Sequence, residues 1–276
     1  MTTQNLIEFI KNNKIFLKKN IAYTNKKKKQ TYLFRMLQAN VHLGHKNKKW
    51  NPKMSDFIFQ TIEGLHIIDI VQSYIYLYKA CQLLYKEASN KEYKGFLFAG
   101  TEEKSAIPIC IKNNAYNCGS FYINKKWLSG TLTNWKNTTN SLTILKYLKL
   151  YKKTKNFDET PVKIQTLIQK KISKLERYFG GIQNMKALPE IVIIVGEQTQ
   201  LNALKECHIL KLKSITLLDT NSNPKLVDLF IPANDDSNSS LNFILGEFQL
   251  AINLGRQKYL KNKNPLENSN SILRSI

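Results

Sequence analysis

Two stretches of the chain set lysine beside tryptophan and asparagine: His45-Lys46-Asn47-Lys48-Lys49-Trp50-Asn51-Pro52-Lys53, and Asn124-Lys125-Lys126-Trp127 followed closely by Thr133-Asn134-Trp135-Lys136. In such clusters lysine supplies charge to phosphates, and Asn and Thr supply hydrogen bonds to a sugar-phosphate backbone. An indole either stacks on a base or ribose or anchors its loop in the core. Trp50 lies in a polar loop and is the indole expected at the surface; Trp127 and Trp135 are expected to anchor. Lys46, Lys48, Lys49, Trp50, Lys53, Lys125, Lys126 and Asn134 are therefore the candidate nucleic-acid contacts.

Other reactive residue types are placed less suggestively. His42 and His45 could join Asp235 and Asp236 at a metal, but no local spacing supplies a third ligand and the helical i, i+4 arrangement is absent, so a capped or core-satisfied pair is expected and no metal or cofactor is assigned. His66 sits in an apolar segment and reads as a hydrogen-bonded core histidine. Cys81, Cys110, Cys118 and Cys207 are 29, 8 and 89 positions apart, which is neither a paired zinc motif nor a disulfide framework. Three of them, Cys81, Cys110 and Cys207, fall in expected helices as small buried hydrophobes, and a reducing compartment is the simplest setting. No Ser, His and Asp arrangement, dinucleotide fingerprint or Walker A loop occurs, so nothing in these motifs makes the chain an enzyme.

Composition favours the same partner as the lysine clusters. Against 20 acidic residues stand 42 basic ones, giving a formal charge of +22 spread along all 276 residues. A global excess of this size repels itself unless a polyanion compensates it. Nucleic acid is preferred to a membrane surface because no strongly amphipathic basic helix dominates. Only four of the basic residues are arginine, and Asn, Ile and Tyr are abundant. Lysine and arginine both neutralise phosphate, so this imbalance points to an A- and T-rich genome, organellar or microbial. With 42% hydrophobic residues and apolar runs of about five, far from the roughly 20 needed to cross a bilayer, a membrane span is not expected.

The elements that must position the clusters follow from periodicity. Residues 1–30 read as a basic extension with a possible short helix around Leu6 to Leu17; a targeting peptide is the rival, although the stretch lacks Arg and Ser. From Thr31 the spacing of Tyr32, Leu33, Met36 and Leu37 predicts a helix that Gly44 ends. Phe57–Phe59 and Leu65–Ile70 are extended pieces around a Glu63-Gly64 turn, and Val71–Ala88 is a helix. Gly95–Ala99, Ser120–Ile123, Ile191–Val195 and Ser214–Leu218 are continuous apolar runs, as expected of parallel strands covered on both faces. Glu102–Asn113, with Pro108 kinking it or moving its boundary, and Gln200–Leu210 are the crossover helices. Between the second and third strands, Leu132–Tyr151 and Pro161–Phe179 predict an antiparallel hairpin joined by Lys152 to Glu159, the second helix carrying the stripe Ile164, Ile168, Ile172, Leu175 and Phe179. A long helix over Ser240–Leu260 precedes a polar tail. The fold class is α/β, a doubly wound parallel sheet with an inserted α-helical, coiled-coil-like hairpin. The domain reading is an extension (1–30), a core (31–128 and 181–254), an insertion (129–180) and a tail (255–276).

The wording of the sequence also resembles a known family. Val41-His42-Leu43-Gly44-His45, Trp50-Asn51-Pro52-Lys53-Met54 and Gly64-Leu65-His66-Ile67-Ile68-Asp69 are similar to the start of ribosomal protein S2. Phe98-Ala99-Gly100-Thr101, the run Asn124 to Trp135, Gly180-Gly181-Ile182, Asp219-Thr220-Asn221 and Ile231-Pro232-Ala233-Asn234-Asp235-Asp236 follow in the family's order, so the resemblance covers roughly residues 31 to 250. The Lys-Lys-Trp and Pro-Ala-Asn-Asp-Asp wording looks most like the plastid branch.

The resemblance implies a flavodoxin-like core and a noncatalytic, structural role in the small ribosomal subunit. The implied partners are small-subunit rRNA and neighbouring ribosomal proteins, with no membrane and no small-molecule substrate. The implied location is the ribosome in the plastid stroma, or alternatively in the mitochondrial matrix. It also implies that the two lysine-rich loops are where RNA is met. Leu43, Ser129, Ser222 and Gly196 depart from the family's usual Phe, Gly, Cys and Asp, and Ser129 questions a glycine-dependent turn at that point. Two other uses of the same fold stay open at this stage: an adaptor binding RNA or protein, and an enzyme acting on an anionic substrate.

Overall fold

The computed structural model describes residues 26–90, 93–101 and 107–263. The short helix expected around Leu6 to Leu17 and the polar tail from residue 264 lie outside the described residues.

The first described helix, α1 (Lys26–Gln38), includes the run Lys26 to Lys29, and its Leu33, Met36 and Leu37 are buried. It ends before Gly44: Asn40 takes φ 59°, and Gly44 lies within β1 (Leu43–Lys46). The sequence reading took this glycine as a helix stop, whereas it serves close packing, since a Cβ there would stand 2.5 Å from Thr220 Cγ2 and 3.1 Å from the His66 carbonyl oxygen. β1 pairs antiparallel with β3 (Leu65–Ile68), which pairs with β2 (Ile58–Ile62). The Glu63-Gly64 turn between the last two has φ of 50° and 77°, the doubly left-handed geometry that suits strand twist.

The main sheet is parallel, built from β4 (Phe96–Ala99), β5 (Phe121–Ile123), β6 (Ile191–Val195), β7 (Lys213–Leu218) and β8 (Leu229–Pro232), in the order β5-β4-β6-β7-β8. Counted among themselves these strands run 2-1-3-4-5, the flavodoxin-like order. The sequence reading did not include β8, a four-residue edge strand ending in proline, which edges tolerate.

Side-chain alternation divides the core in two. Phe96, Phe98, Ile193, Val195, Ile215 and Leu217 face α2 (Ile70–Ala88), α3 (Ile107–Asn117) and α8 (Asn238–Lys263). Leu97, Ala99, Val192 and Ile194 face α7 (Leu201–Leu210) and the base of α4 (Trp135–Tyr151). Strands wholly buried on both faces require continuous apolar runs, and Ile191–Val195 is buried at every position. Pro108 is the second of the described residues of α3, and the part of the expected helix from Glu102 that precedes Ile107 lies outside the described residues. Asp69 caps α2, accepting from Val71 N at 2.9 Å and Gln72 N at 3.4 Å.

The insertion has more structure than a simple pair of helices. Between α4 and α6 (Val162–Phe179) lies a short helix, α5 (Lys155–Glu159), bounded by extended residues at Thr154 and Thr160. Gln165 Nε2 donates to the Phe157 carbonyl at 3.1 Å, and Lys149 pairs with Glu176 at 2.7 Å, which sets the arms antiparallel. Of the predicted stripe, Ile172 is buried and Ile168, Leu175 and Phe179 are partly covered, but Ile164 near the tip is exposed.

Candidate nucleic-acid interface

The first lysine loop is folded over the C-terminal end of β7. Asn47 N donates to the Gly64 carbonyl at 3.0 Å and Asn51 N to the Thr220 carbonyl at 2.8 Å. The His45 amide reaches Thr220 Oγ1 at 2.9 Å, and fully buried Met54 anchors the exit. Asn51 Oδ1 accepts from Lys53 N at 3.1 Å, capping the 3-10 turn that Pro52 begins. With the backbone so occupied, Lys46, Lys48, Lys49 and Lys53 all point to solvent. Trp50 is 37% exposed, its ring 5.1 Å from that of His66, so it is both a partly open aromatic face and a cover for the core histidine. His66 is buried; its Nδ1 lies 3.0 Å from Thr61 Oγ1, the hydrogen bond expected of it, while its buried Nε2 has no partner among the described residues.

His45 closes this loop against two carboxylates. Nδ1 lies 3.1 Å from Asp219 Oδ1 and Nε2 3.3 Å from Asp236 Oδ2. The hydrogen bond to Asp219 raises the His45 pKa to about 9 against the opposing effect of burial, so the imidazolium persists at neutral pH. His42, in contrast, has its pKa lowered by burial and is not part of the group. The sequence reading paired His42 and His45 with Asp235 and Asp236; the structure selects His45 and adds Asp219, brought in from the end of β7 across 174 residues. His45, Asp219 and Asp235 each place one donor atom within 4.8 Å of the others, a set that could hold a divalent cation in place of the proton.

The second loop joins β5 to α4 and wraps one buried carboxylate. Glu206 on α7 accepts from Trp127 Nε1 at 2.9 Å and Gly130 N at 2.8 Å through Oε1, and from Leu132 N at 2.8 Å, Thr133 N at 3.0 Å and Thr133 Oγ1 at 3.2 Å through Oε2. Burial favours the neutral acid, but the donors from Trp127, Thr133, Leu132 and Gly130 outweigh it and hold the carboxyl below its usual range. Trp127 is buried and Trp135 packs against the same apolar cluster, so both indoles anchor as expected. Lys125, Lys126 and Asn134 flank the wrapped residues and are exposed; Asn134 stands at the start of α4 without using its side chain as a cap. Ser129 does not disturb the turn, because Gly130 carries the left-handed conformation, φ 88°.

Both loops lie along the carboxyl edge of the parallel sheet, where open α/β folds present their binding residues. One follows β5 and the other covers β7, which puts them about 15 Å apart at the usual strand spacing. The carboxylates at this edge are engaged locally: Asp219 and Asp236 by His45, Glu206 by its loop, and Glu197 by the Asn223 amide at 3.1 Å. Among the described residues none of the six lysines forms an ion pair. The edge therefore presents uncompensated positive charge on fixed backbone, with one partly open indole.

His45 has both ring nitrogens engaged and its pKa far above neutrality, so it is no general base. Burial raises all four thiols, Cys81 and Cys207 to about 12, so thiolate nucleophiles are not available at neutral pH. No helix among the described residues is long and apolar enough to cross a membrane.

Glu206, Asp219 and Thr220 are the positioning residues that sequence reasoning did not single out. No local pattern marks Glu206, because its partners lie over seventy positions away. Asp219 and Thr220 were visible only as part of the family's wording.

Comparison with known proteins completes the account. Residues 36–255 match the family model described as Ribosomal protein S2. The chain is 40% identical over 224 residues to the small ribosomal subunit protein uS2c of Oltmannsiellopsis viridis, covering 81% of this chain and 92% of that one. A match this long means that the chain belongs to the ribosomal protein S2 family.

Proposed function

We propose that this chain, as a structural constituent of the small ribosomal subunit taking part in translation, is held to small-subunit rRNA by the two lysine loops at the carboxyl edge of its sheet. Lys46, Lys48, Lys49, Lys53, Lys125 and Lys126 meet phosphates, Asn134 hydrogen-bonds the RNA backbone, and Trp50 offers its open face to a base or ribose. The observation that carries this reading is six solvent-facing lysines without a carboxylate partner among the described residues, on loops fastened by Thr220, His45 and Glu206. Neighbouring ribosomal proteins complete its surroundings. The role is noncatalytic, in keeping with a protonated His45 and suppressed thiols.

The proposed location is the ribosome of a plastid, in the stroma. Supporting it are the relative named uS2c and the excess of lysine over arginine, which an A- and T-rich organelle genome would produce.

Phosphate contacts make binding weaken with salt, with a slope of log K against log[salt] of about −0.7 to −0.9 per neutralised phosphate. Titrating the full chain against a small-subunit rRNA transcript at several salt concentrations tests the assignment. K46A/K48A/K49A/K53A should flatten the slope by about three units, and an unchanged slope would remove these lysines from the interface.

A further inference from the structure

The buried carboxylate of Glu206 is spent entirely on one loop. The loop curls so that the amides of Gly130, Leu132 and Thr133 converge, a concavity of backbone N–H groups of the kind that binds anions. Here the anion is the protein's own: Glu206, 94% buried, fills it, and the Trp127 indole N–H closes one side. Each carboxylate oxygen takes a different half, Oε1 the Trp127 and Gly130 donors and Oε2 those of Leu132 and Thr133. The exposed residues lie just outside this clasp, Lys125 and Lys126 before Trp127 and Asn134 after Thr133. α7, which carries Glu206, packs on the sheet through buried Ala203, Leu204 and Cys207, so the clasp refers the loop to the rigid core.

We infer that Glu206 is a positioning residue for RNA binding: it touches no RNA, and by clasping residues 127–133 it fixes Lys125, Lys126 and Asn134 where phosphates meet them. The inference rests on the reading of those three as RNA contacts. A carboxylate does this where an amide cannot, because all its partners are donors; in E206Q the new NH2 group faces either the Trp127 and Gly130 donors or those of Leu132 and Thr133. The negative charge is also withheld from the RNA, since it is buried beneath the loop.

The test is a double-mutant cycle read as salt slope and affinity of the full chain for a small-subunit rRNA transcript. K125A/K126A should flatten the slope by about 1.5 and weaken binding on the order of tenfold. E206Q should do nearly the same although it removes a negative charge, which a purely global electrostatic effect would make favourable. E206Q added to K125A/K126A should cost little more, whereas added to K46A/K48A it should cost its full amount. A wild-type slope in E206Q, or an effect that adds in full to K125A/K126A, overturns the positioning role. An unchanged slope in K125A/K126A itself removes this loop from the RNA interface and overturns the premise. Should E206Q fail to fold, W127F/T133V, which removes the two side-chain donors and keeps the carboxylate, is read in the same cycle, and a wild-type slope there is equally decisive against the role.

Discussion

His45 Nδ1 stands 3.1 Å from Asp219 Oδ1, joining β1 of the small antiparallel sheet to the carboxyl end of β7. The Asp219 side chain is 1% exposed; its Oδ1 also accepts from the Thr220 amide and hydroxyl, its Oδ2 has no hydrogen-bond partner, and the His45 imidazolium is the positive charge set against it. Buried charge left without its partner is costly. H45Q should therefore lower stability by about 2–3 kcal/mol in urea unfolding at pH 7. Because the folded pKa is raised, the contribution is complete below the unfolded value near 6.5 and is lost as pH climbs through about 9. Wild type should weaken between pH 7 and 10, and H45Q should lose that part of the profile.

Glu206 carries the opposite sign. Its folded pKa lies below the ordinary carboxylate range, so its stabilisation is present above that range and disappears as pH falls through the folded value. E206Q should cost about 2–4 kcal/mol at pH 7, from unsatisfied donors among Trp127, Gly130, Leu132 and Thr133. The deficit relative to wild type should shrink in acid, as measured by unfolding at pH 7 and pH 3.

Two glycines should respond in opposite ways to alanine. A Cβ on Gly181 would lie 2.1 Å from the Tyr122 carbonyl oxygen, a backbone atom that cannot give way without shifting β5, so G181A should destabilise by about 3 kcal/mol or more. Gly246, inside α8, has nothing within 4 Å of a built Cβ, and G246A should stabilise by about 0.5–1 kcal/mol. Melting curves of the two variants provide the comparison.

The thiols should be slow to react while the chain is folded. Cys110, Cys118 and Cys207 are buried and Cys81 is partly so, with Cys81 and Cys207 raised to about 12. A thiol reagent at pH 8 should label them at the rate of unfolding, and all four promptly in denaturant.

What could be read from sequence was what depends on neighbours in sequence. The runs Gly95–Ala99 and Ile191–Val195 announced doubly covered strands because each such strand must be apolar on both faces. Glu63-Gly64 announced a turn through local backbone chemistry. The partial exposure of Trp50 followed from the polar loop around it. Gly44 misled because its reason is a contact with Thr220, 176 positions away, and that packing cannot be seen in a helical pattern. β8 was too short, and α5 too brief and polar, to leave a periodic signal. The fasteners of the site were hidden for the same cause: Glu206 and Asp219 act on loops far from them in the chain, and only folding brings a buried carboxylate to its donors.

The central claim is that this chain sits on small-subunit RNA as part of the ribosome. Sucrose-gradient sedimentation of a plastid lysate, with the chain followed by mass spectrometry before and after RNase, tests it most directly. Co-migration with the small-subunit RNA that is abolished by digestion is the predicted result. A light peak indifferent to RNase would contradict the account.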